Sequence, residues 1–484
     1  MDTYLGVDIG TTITKAALFD GSGTAVAVTE RPTRLERAAP NRVEQEADDV
    51  LHSVGAVVTD VLSSTDAPAP ALLAITGQGD GCWLVDEHGH AVRRAISWMD
   101  GRAGAILARW ERDGTAEGVF RATGNALFPG SMACLLRWLD EHEPESLDRA
   151  ATAGYCKDMV FQRLTGVRTT DPSDASSPFG DPDGHGYADN ALKLCRLDHR
   201  ADLLAPVSRP VPLAPLDAVG AALITLPEGT PAVAGPFDLA ACPVGAGVRE
   251  PGDGLLVIGT TLGCAVLTEH VDRTAYPAGM HLATAAPNRW VRVLPAMVGC
   301  AVLDWTLRMV GMTHDDLEPA LTASGPGANG VEMLPYLAPS GERAPFVDPR
   351  AHGQLTGLQL GTTREDVVRA TCEGIALAAR DCFAATELTG RLMVCGGGAQ
   401  SRPWLQVIAD VLQRPLHVAP SPNVGSRGAV LGALAAAGPA VNVEDWTRAD
   451  DVVRPQQALA GHYDEAFARY RAHQDAARAL WRQS

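Results

Sequence analysis

Two stretches of the chain share one order of apolar and polar positions. One reads YLGVDIGTTITKAALF (residues 4–19) and the other reads LLVIGTTLGCAVLT (residues 255–268). Each has an apolar run, a Gly-Thr-Thr turn and a second apolar run, which predicts a β-hairpin. The tip of such a hairpin exposes backbone N–H groups and two hydroxyls, and these donors suit a phosphate. Either hairpin alone also fits an ordinary turn, but the repeat predicts two related halves.

Around the hairpins, short apolar runs alternate with segments of helical periodicity. The predicted helices are 47–62, 103–112, 132–141, 157–164, 239–246, 299–310, 363–388, 403–412 and 426–437. The other predicted strands are 71–76, 82–86, 95–98, 232–234 and 392–395. Turn-forming residues predict irregular connections at 170–177, 206–231 and 334–349, and a turn at 235–238. This alternation indicates an α/β protein, and the antiparallel hairpins indicate mixed sheets.

Length and composition narrow the class of protein. A chain of 484 residues exceeds one ordinary core, so we expect two domains, 1–250 and 251–484. The net charge of −18 disfavours a nucleic-acid partner. No apolar run is long enough to span a membrane and no signal peptide precedes the first strand, so we expect a cytoplasmic protein. The ten cysteines lack a CxxC pair or metal-ligand spacing, which predicts small buried hydrophobic residues.

The hairpins carry candidate nucleotide contacts. Asp8, near the bend of the first hairpin, is either a solvated turn aspartate or a carboxylate that holds a hydrated Mg²⁺ against phosphates. Thr11 and Thr12 at the first tip, and Thr260 and Thr261 at the second, are candidate phosphate contacts through their hydroxyls and amides.

Asp238 is the candidate catalytic residue. It lies at the start of the predicted helix 239–246, where an ordinary N-cap is the alternative interpretation. A capping aspartate has its charge stabilised, so we expect it to stay ionised and able to accept a proton from a hydroxyl that attacks phosphorus. Phosphoryl transfer depends mainly on positioning and charge neutralisation, so one such carboxylate is a sufficient base.

A group of polar and aromatic residues on two neighbouring loop segments is typical of polyol binding. The group consists of Gln78, Asp80, Trp98, Asp100 and Arg102. Carboxylates accept paired hydrogen bonds from vicinal hydroxyls, and an indole offers a flat apolar wall. The alternatives are a core position for Trp98 and a salt-bridged surface position for Arg102.

A glycine-rich loop (396–401, GGGAQS) follows the predicted strand 392–395 and precedes a helix. Its glycines permit close approach of a ligand to the backbone, and the helix offers free N–H groups. The loop lacks the Gly-Lys-Ser/Thr ending of a Walker phosphate loop. It is therefore either a contact for adenosine or a tight connection.

Ordered motifs over both halves resemble the FGGY carbohydrate kinases, within the superfamily of actin, hexokinase and the heat-shock chaperone ATPases. The matching motifs are GVDIGTT (6–12), SWMDGRA (97–103), KDMVFQRLTG (157–166), TDPSDAS (170–176), GPFDLAACPVGAGV (235–248), GTTLG (259–263), LPYLAPSGERAPFVDPRAHGQLTGL (334–358) and GGGAQSRPWLQVIADVLQRPL (396–416). The resemblance implies two actin-like (ribonuclease H-like) domains, with mixed sheets flanked by helices and a deep inter-domain cleft. It also implies ATP and Mg²⁺ as cofactors.

The resemblance also implies roles for individual residues. Asp238 corresponds to the general base, and Asp8 to the residue near Mg²⁺ and the γ-phosphate. Thr260 and Thr261 correspond to phosphate contacts. The implied nucleotide contacts of the second half are Gly299, Gly397, Gly398 and Gln400.

Two segments depart from the family pattern. Xylulokinases commonly have Gly-Gln-Met-His-Gly where this chain has GQGDG (77–81). The loop is more similar to that of erythritol kinases and, less closely, of L-xylulose kinases. The glutamate that usually precedes the Gly-Ala-Ala helix is replaced within NVGSR (423–427), which we expect to alter the adenine side.

The sequence thus predicts an ATP-dependent kinase that phosphorylates a primary hydroxyl of a short polyol or ketose, similar to erythritol or L-xylulose. Alternatives are a kinase for D-xylulose or 3-keto-L-gulonate, and a catalytically silent actin-fold regulator that binds nucleotide. We expect no membrane partner and, as the commonest oligomer, a homodimer.

Overall fold

The computed structural model describes residues 2–39, 41–183, 186–449 and 451–481. Within these ranges no helix has both the length and the apolar character needed to cross a membrane. All ten cysteines are free and eight are buried, as expected of small hydrophobic residues. The cytoplasmic location and the homodimer stay predictions.

Strands and helices alternate along the described chain. The strands are β1 (Thr3–Ile9), β2 (Ile13–Asp20), β3 (Ala25–Pro32), β4 (Glu36–Ala39), β5 (Arg42–Gln45), β6 (Leu72–Gly77), β7 (Trp83–Val85), β8 (Ala95–Ile96), β9 (Thr152–Gly154), β10 (Leu213–Pro215), β11 (Pro231–Phe237), β12 (Gly254–Ile258), β13 (Leu262–Thr268), β14 (Met280–Ala283), β15 (Trp290–Ala296), β16 (Glu332–Leu334), β17 (Gln354–Thr356), β18 (Leu392–Cys395), β19 (Leu416–Val418) and β20 (Val452–Val453). The α-helices are α1 (Ala47–Ser63), α2 (Gly104–Asp113), α3 (Thr115–Thr123), α4 (Met132–His142), α5 (Pro144–Arg149), α6 (Cys156–Thr165), α7 (Pro172–Ser176), α8 (Asp189–Leu194), α9 (Ala218–Ile224), α10 (Asp238–Ala246), α11 (Cys300–Val310), α12 (Leu317–Ala323), α13 (Arg364–Ala384), α14 (Arg402–Leu412), α15 (Val424–Ala437), α16 (Val443–Thr447) and α17 (Ala460–Trp481).

The chain forms two compact units. The first contains the described residues of Met1–Gly247, Glu269–Val291 and Asn423–Thr447, and the second those of Val248–Thr268, Arg292–Pro422 and Arg448–Ser484. The chain therefore returns to the first unit for α15 and α16. The predicted functional division into 1–250 and 251–484 stays a prediction.

The first unit is built on a sheet with strand order β10-β11-β6-β1-β2-β3. β1 pairs antiparallel with β2 and parallel with β6, so the predicted mixed sheet is present. Successive side chains of a strand point to opposite faces. Leu5, Val7 and Ile9 of β1 accordingly pack in one core cluster with residues of α1. Tyr4 packs on the other face of the sheet with residues of α15. The side chain of Asp8, an even number of residues from Tyr4, points to the same face as Tyr4.

The second unit contains a sheet that includes the order β15-β13-β12-β18-β19-β20. The second hairpin, β12 and β13, is antiparallel, and β12 pairs parallel with β18. Both predicted hairpins are thus confirmed, each with its Gly-Thr-Thr sequence in the connecting turn. The long helix α13 begins at a capping box formed by Thr363 and Asp366.

Three predicted irregular segments are wrong in part. The loop 170–177 contains α7, and the segment 206–231 contains β10 and α9. The turn expected at 235–238 is the end of β11, which runs to Phe237 and is followed directly by α10. A register shift between Ala234 and Phe237 allows this strand to continue past Gly235 and Pro236.

Candidate active site

Asp8 lies near the end of β1, on the face of the sheet that α15 covers. A Cβ at Gly425, in the first turn of α15, would lie 2.3 Å from Asp8 Oδ2, so only glycine leaves room for the carboxylate. Burial raises the pKa of Asp8 to about 6, although the positive charge of Lys15 opposes the rise. Asp8 is therefore a desolvated carboxylate rather than a solvated turn aspartate.

The NVGSR segment contains Gly425 and therefore lies beside Asp8 in the first unit. We expected this departure from the family pattern to alter the adenine side. The structure instead places it against the carboxylate predicted to hold the metal.

Asp238 is the first residue of α10, and Phe237 occupies the N-cap position. Burial and the negative charge of Asp8 raise the pKa of Asp238 well above its usual range, and the charge of Asp80 adds to the rise. A hydrogen bond from the Leu239 N–H opposes the shift without cancelling it. Helix capping therefore does not lower the pKa of Asp238, and its ionised state during the reaction stays a prediction. Burial and the negative charges of Asp8 and Asp80 outweigh the stabilising effect of the helix start on Asp238.

Gln78 and Trp98 are joined through the first hairpin tip. The Trp98 Nε1–H donates to Thr11 Oγ1 at 2.8 Å, and the Thr11 hydroxyl donates to Gln78 Oε1 at 2.9 Å. The Gln78 amide in turn donates to Gln45 Oε1 at 2.8 Å. Thr11, predicted as a phosphate contact, thus organises the predicted acceptor-binding side chains, while Thr12 is exposed. Their contacts with ligand stay predictions.

Asp80 is held in an unusual backbone conformation. Its φ of 52° lies in the left-handed region and Gly81 follows with a φ of 74°, which turns the chain sharply. The Ser177 hydroxyl donates to Asp80 Oδ1 at 3.2 Å. Asp80 is 5% exposed, and it lies close enough to Asp238 to raise the pKa of that group. The structure therefore brings Asp8, Asp80 and Asp238 into one electrostatic cluster within the first unit.

Asp100 and Arg102 form a buried ion pair. The Arg102 Nε–H donates to Asp100 Oδ1 at 2.8 Å, and its Nη2 group donates to Asp100 Oδ2 at 2.9 Å and to Glu44 Oε1 at 2.6 Å. The Val43 N–H also donates to Asp100 Oδ2 at 2.6 Å. Arg102 is therefore salt-bridged, as the alternative interpretation expected, but the ion pair is buried and does not lie at the surface. Its direct contact with substrate stays a prediction, and the observed bonds fix the segment that carries Trp98.

A buried lysine surrounded by carboxylates is a feature for which the sequence suggested no role. Lys157 Nζ lies 2.6 Å from Asp158 Oδ1, 2.9 Å from Asp171 Oδ1 and 2.9 Å from Asp174 Oδ2. Burial lowers the pKa of Lys157, but the three carboxylates outweigh burial and raise it well above its usual range. All four residues lie in matched family motifs, which is the signal that could have drawn attention to them.

Ser173 connects this lysine cluster with the residue that precedes Asp238. The Ser173 hydroxyl donates to Asp171 Oδ2 at 2.7 Å and accepts a hydrogen bond from the Phe237 N–H at 2.8 Å. Asp171 also caps α7, and it approaches Lys157 through its other carboxylate oxygen. The start of α10 is thus anchored to a buried charge cluster.

In the second unit, Gly299 fits against the second hairpin tip. A Cβ at Gly299 would lie 2.7 Å from the Thr260 carbonyl oxygen and 2.7 Å from Thr261 Cα. The Cys300 N–H, at the start of α11, donates to the Gly259 carbonyl at 2.9 Å. The tip and the N-terminus of α11 therefore lie side by side, with the first two N–H groups of the helix bonded to carbonyls of the tip.

The glycines of the loop after β18 differ in their surroundings. A Cβ at Gly398 would lie 2.3 Å from Ile258 Cγ2, so this glycine is required by packing. A Cβ at Gly397 would meet no atom within 4 Å, and Gln400 is exposed on the same 3₁₀ turn. Gly397 and Gln400 are thus accessible to a ligand, whereas Gly398 brings the turn close to β12.

These residues fit ATP and Mg²⁺. Gly299 lets the start of α11 pack against the second tip, whose Thr260 and Thr261 carry the hydroxyls and amides that suit a nucleotide phosphate. Among the described residues, no group of three or more His, Cys, Asp or Glu could form a metal site. Mg²⁺ bound to nucleotide commonly takes only one or two carboxylates and completes its shell with phosphate and water oxygens. Asp8 is a suitable ligand of that kind.

Known proteins match both halves of the chain. The FGGY family of carbohydrate kinases matches residues 3–245 by its N-terminal domain and residues 255–437 by its C-terminal domain. The erythritol kinase of Brucella abortus (strain 2308) is 31% identical over 99% of this chain and 97% of that protein. The xylulose kinase of Escherichia coli (strain K12) is 28% identical over 99% of each. The crystal structure of xylulose kinase from Rhodospirillum rubrum has a TM-score of 0.89 and 28% identity, covering 99% of this chain and 100% of that one.

Proposed function

The chain belongs to the FGGY family of carbohydrate kinases, and on this basis we propose that it transfers the γ-phosphate of ATP to a primary hydroxyl of a short polyol or ketose. The two-domain α/β fold and the family membership inferred from the motifs are confirmed by the matches over both halves. The proposal names erythritol as the first acceptor to test, with L-xylulose second.

The observation that carries the chemistry is the half-buried Asp238, whose pKa is raised by burial of its carboxyl and by the charges of Asp8 and Asp80. In its ionised form Asp238 accepts the proton of the acceptor hydroxyl as the oxygen bonds to the γ-phosphorus and the bond to the ADP oxygen breaks. A base whose pKa is raised above the ordinary aspartate value accepts this proton more readily. Bound Mg²⁺ would neutralise phosphate charge, and Asp8 would be its protein ligand.

Two observations support a short polyol as acceptor. The side chains of Gln78 and Trp98 are held in place through Thr11, so they offer a preorganised amide and an indole wall. Asp80 adds a carboxylate that can accept hydrogen bonds from vicinal hydroxyls. The 31% identity with an erythritol kinase supports the same acceptor class.

The second unit supplies the proposed nucleotide contacts. Thr260 and Thr261 would bind phosphate through tip amides and hydroxyls, beside Gly299. Gly397 and Gln400 would contact the adenosine, since both are exposed on one turn. These roles are proposed by family motif position and by the accessibility of the residues.

The test is ADP release by the purified protein with Mg-ATP and a panel of tetritols, pentitols, pentuloses and hexuloses. We expect the highest kcat/KM with erythritol or L-xylulose. Asp238→Asn should keep ADP binding and lose transfer by a factor of about 10² to 10⁴, as is typical for loss of a general base. Asp20→Asn, at the far end of the first hairpin, is the matched control and should retain activity.

Two results would contradict the proposal in different ways. A kcat/KM for D-xylulose far above those for erythritol and L-xylulose would refute the acceptor assignment. Binding of ATP without phosphorylation of any acceptor in the panel would favour a nucleotide-binding regulator.

A further inference from the structure

The matched family motif at 334–358 contains a buried glutamate, Glu342. One of its carboxylate oxygens, Oε1, accepts three backbone hydrogen bonds, from the N–H groups of Met297 at 2.8 Å, Arg343 at 2.8 Å and Ala344 at 3.2 Å. Only 1% of the residue is exposed, and within the described ranges the other oxygen, Oε2, has no hydrogen-bond partner. The three bonds therefore converge on a single oxygen.

Two of the three donors are local, and the third is distant. Arg343 and Ala344 follow Glu342 directly, and the backbone of Glu342 also exchanges two hydrogen bonds of 3.0 Å with the backbone of Asp348. The Met297 N–H lies 45 residues earlier in the chain, directly after β15. Glu342 therefore joins its own turn to the connection between β15 and α11.

This connection is hydrogen-bonded to the second hairpin tip. The Val298 carbonyl accepts the Leu262 N–H at 2.6 Å, and the Cys300 N–H donates to the Gly259 carbonyl at 2.9 Å. All of these residues belong to the second unit. Because Met297 immediately precedes them in the chain, the bond from its N–H to the carboxylate fixes the start of the segment that holds the tip.

Stability alone does not explain a carboxylate at position 342. Burial raises the pKa of Glu342 to about 7, although the three N–H groups and the positive charge of Arg343 oppose the rise. The N–H groups thus do not fully replace the water that the charged form loses on burial. The position of the Met297 segment is a better explanation for this residue than a gain in stability.

We propose that Glu342 is a positioning residue for the nucleotide phosphates, because its bond to the Met297 N–H keeps the second tip in the geometry that binds them. This inference rests on the proposed kinase function, and Glu342 itself does not contact the nucleotide. A phosphate site made of backbone amides depends on the directions of those amides, so a small displacement of the tip weakens binding. The proposed acceptor-binding residues lie in the first unit, so acceptor binding should not depend on this bond.

The first test is calorimetric titration of ADP into Glu342→Ala, Glu342→Gln and Asp253→Ala. Asp253 is the matched control at the opposite end of the same hairpin. It is 4% exposed and also accepts three backbone N–H groups, those of Arg249, Glu250 and Arg391. Urea unfolding gives the stability of each variant, and steady-state assays give the KM for ATP and the KM for the acceptor.

We expect Glu342→Ala to raise the Kd for ADP by about tenfold, the lower end of what a hydrogen bond to a charged group contributes. The KM for ATP should rise with it, and the KM for the acceptor should stay unchanged. Glu342→Gln keeps an accepting oxygen and should recover most of the affinity, whereas Asp253→Ala should lose stability and bind ADP as the wild type does. An unchanged Kd in Glu342→Ala, or an equal rise in Asp253→Ala or in Glu342→Gln, would overturn the inference.

Hydrogen–deuterium exchange of the wild type decides the question if Glu342→Ala does not fold. Coupling between two sites is reciprocal, so bound ADP should slow the exchange of the Met297 and Leu262 amides. The Arg391 amide, which Asp253 holds, should exchange at the same rate with and without ADP. A Met297 amide whose exchange ADP does not alter would contradict the proposed role of Glu342.

The proposed function is tested separately by the wild type. If the wild type binds ADP and phosphorylates an acceptor while Glu342→Ala binds ADP equally well, only the inference on Glu342 is refuted. If the wild type binds no ADP and phosphorylates no acceptor, both the function and this inference are refuted.

Discussion

Replacing Asp8 by Asn should stabilise the ligand-free protein while it removes the proposed Mg²⁺ ligand. Burial raises the pKa of Asp8 from 3.8 to about 6, so the folded protein holds this proton more tightly than the unfolded chain. As the pH rises between these values, the unfolded chain ionises first and the folded state loses stability. A shift of one pKa unit corresponds to about 1.36 kcal/mol, so a rise of roughly two units in the pKa of Asp8 lowers the free energy of unfolding by about 3 kcal/mol at neutral pH.

The Asn variant lacks this titration and keeps nearly the same shape against Gly425. Its free energy of unfolding should exceed that of the wild type by about 3 kcal/mol near pH 7.5, and by roughly half of that near pH 5. The measurement is urea unfolding of both proteins at the two pH values, without nucleotide or Mg²⁺. Activity with Mg-ATP should fall in the same variant.

Asp20→Asn, in the same hairpin, is a control for which we expect the opposite change in stability. Burial raises the pKa of Asp20, but several hydrogen bonds, among them those from Ser22 and Thr24, together outweigh it and hold the pKa below its ordinary value. Its removal should therefore lower stability at neutral pH. An Asp8→Asn variant that is no more stable than the wild type near pH 7.5, or whose advantage is equal at both pH values, would refute this effect of burial on Asp8.

Three further predictions concern the proposed base and the nucleotide contacts. Burial and neighbouring charge raise the pKa of Asp238, and the base must be ionised to act. We therefore expect kcat/KM to fall in a pH–rate profile as the pH is lowered through that raised pKa. A kcat/KM that stays constant on the acid side of the profile would contradict this prediction. Ser173→Ala removes the hydroxyl that accepts the Phe237 N–H, so in steady-state assays we expect a clear fall in kcat and little change in the KM for ATP. Ser173→Thr keeps a hydroxyl and should recover activity. Equal loss of activity in both variants would count against this role of Ser173. Gly299→Ala places a methyl group 2.7 Å from the second tip and should weaken ADP binding in calorimetric titrations, whereas Gly461→Ala, with open space at its Cβ, should not.

Much of the fold could be predicted because it depends on local patterns. The hairpins follow from two apolar runs around a Gly-Thr-Thr turn. Helix α1 follows from apolar periodicity, and α13 follows from apolar periodicity and a cap. The missed helix α7 also had a local signal, since Asp171 and Pro172 are typical N-cap and N1 residues. That signal was hidden in a run of residues that also favour turns.

The site could be predicted only as a set of residues. Asp8, Asp80 and Asp238 were each identified from their own segments, and the structure brings the three together. The effect of burial and of the two neighbouring charges on Asp238 depends on the folded structure, which no single segment encodes. The start of the helix alone therefore did not predict the raised pKa of Asp238, because the helix start is a local feature and the neighbouring charges are not.

The cluster around Lys157 holds in place the hydrogen bonds that connect Asp171, through Ser173, with the backbone of Phe237. Buried ion pairs add little net stability, because the loss of hydration offsets most of their attraction. Lys157 with its three carboxylates is therefore better explained as a device that fixes geometry. Asp171 holds Ser173, and Ser173 holds the Phe237 N–H beside the proposed base. An apolar residue at position 157 could fill the same space, but it would leave Asp171 without the charge that orients this chain of hydrogen bonds.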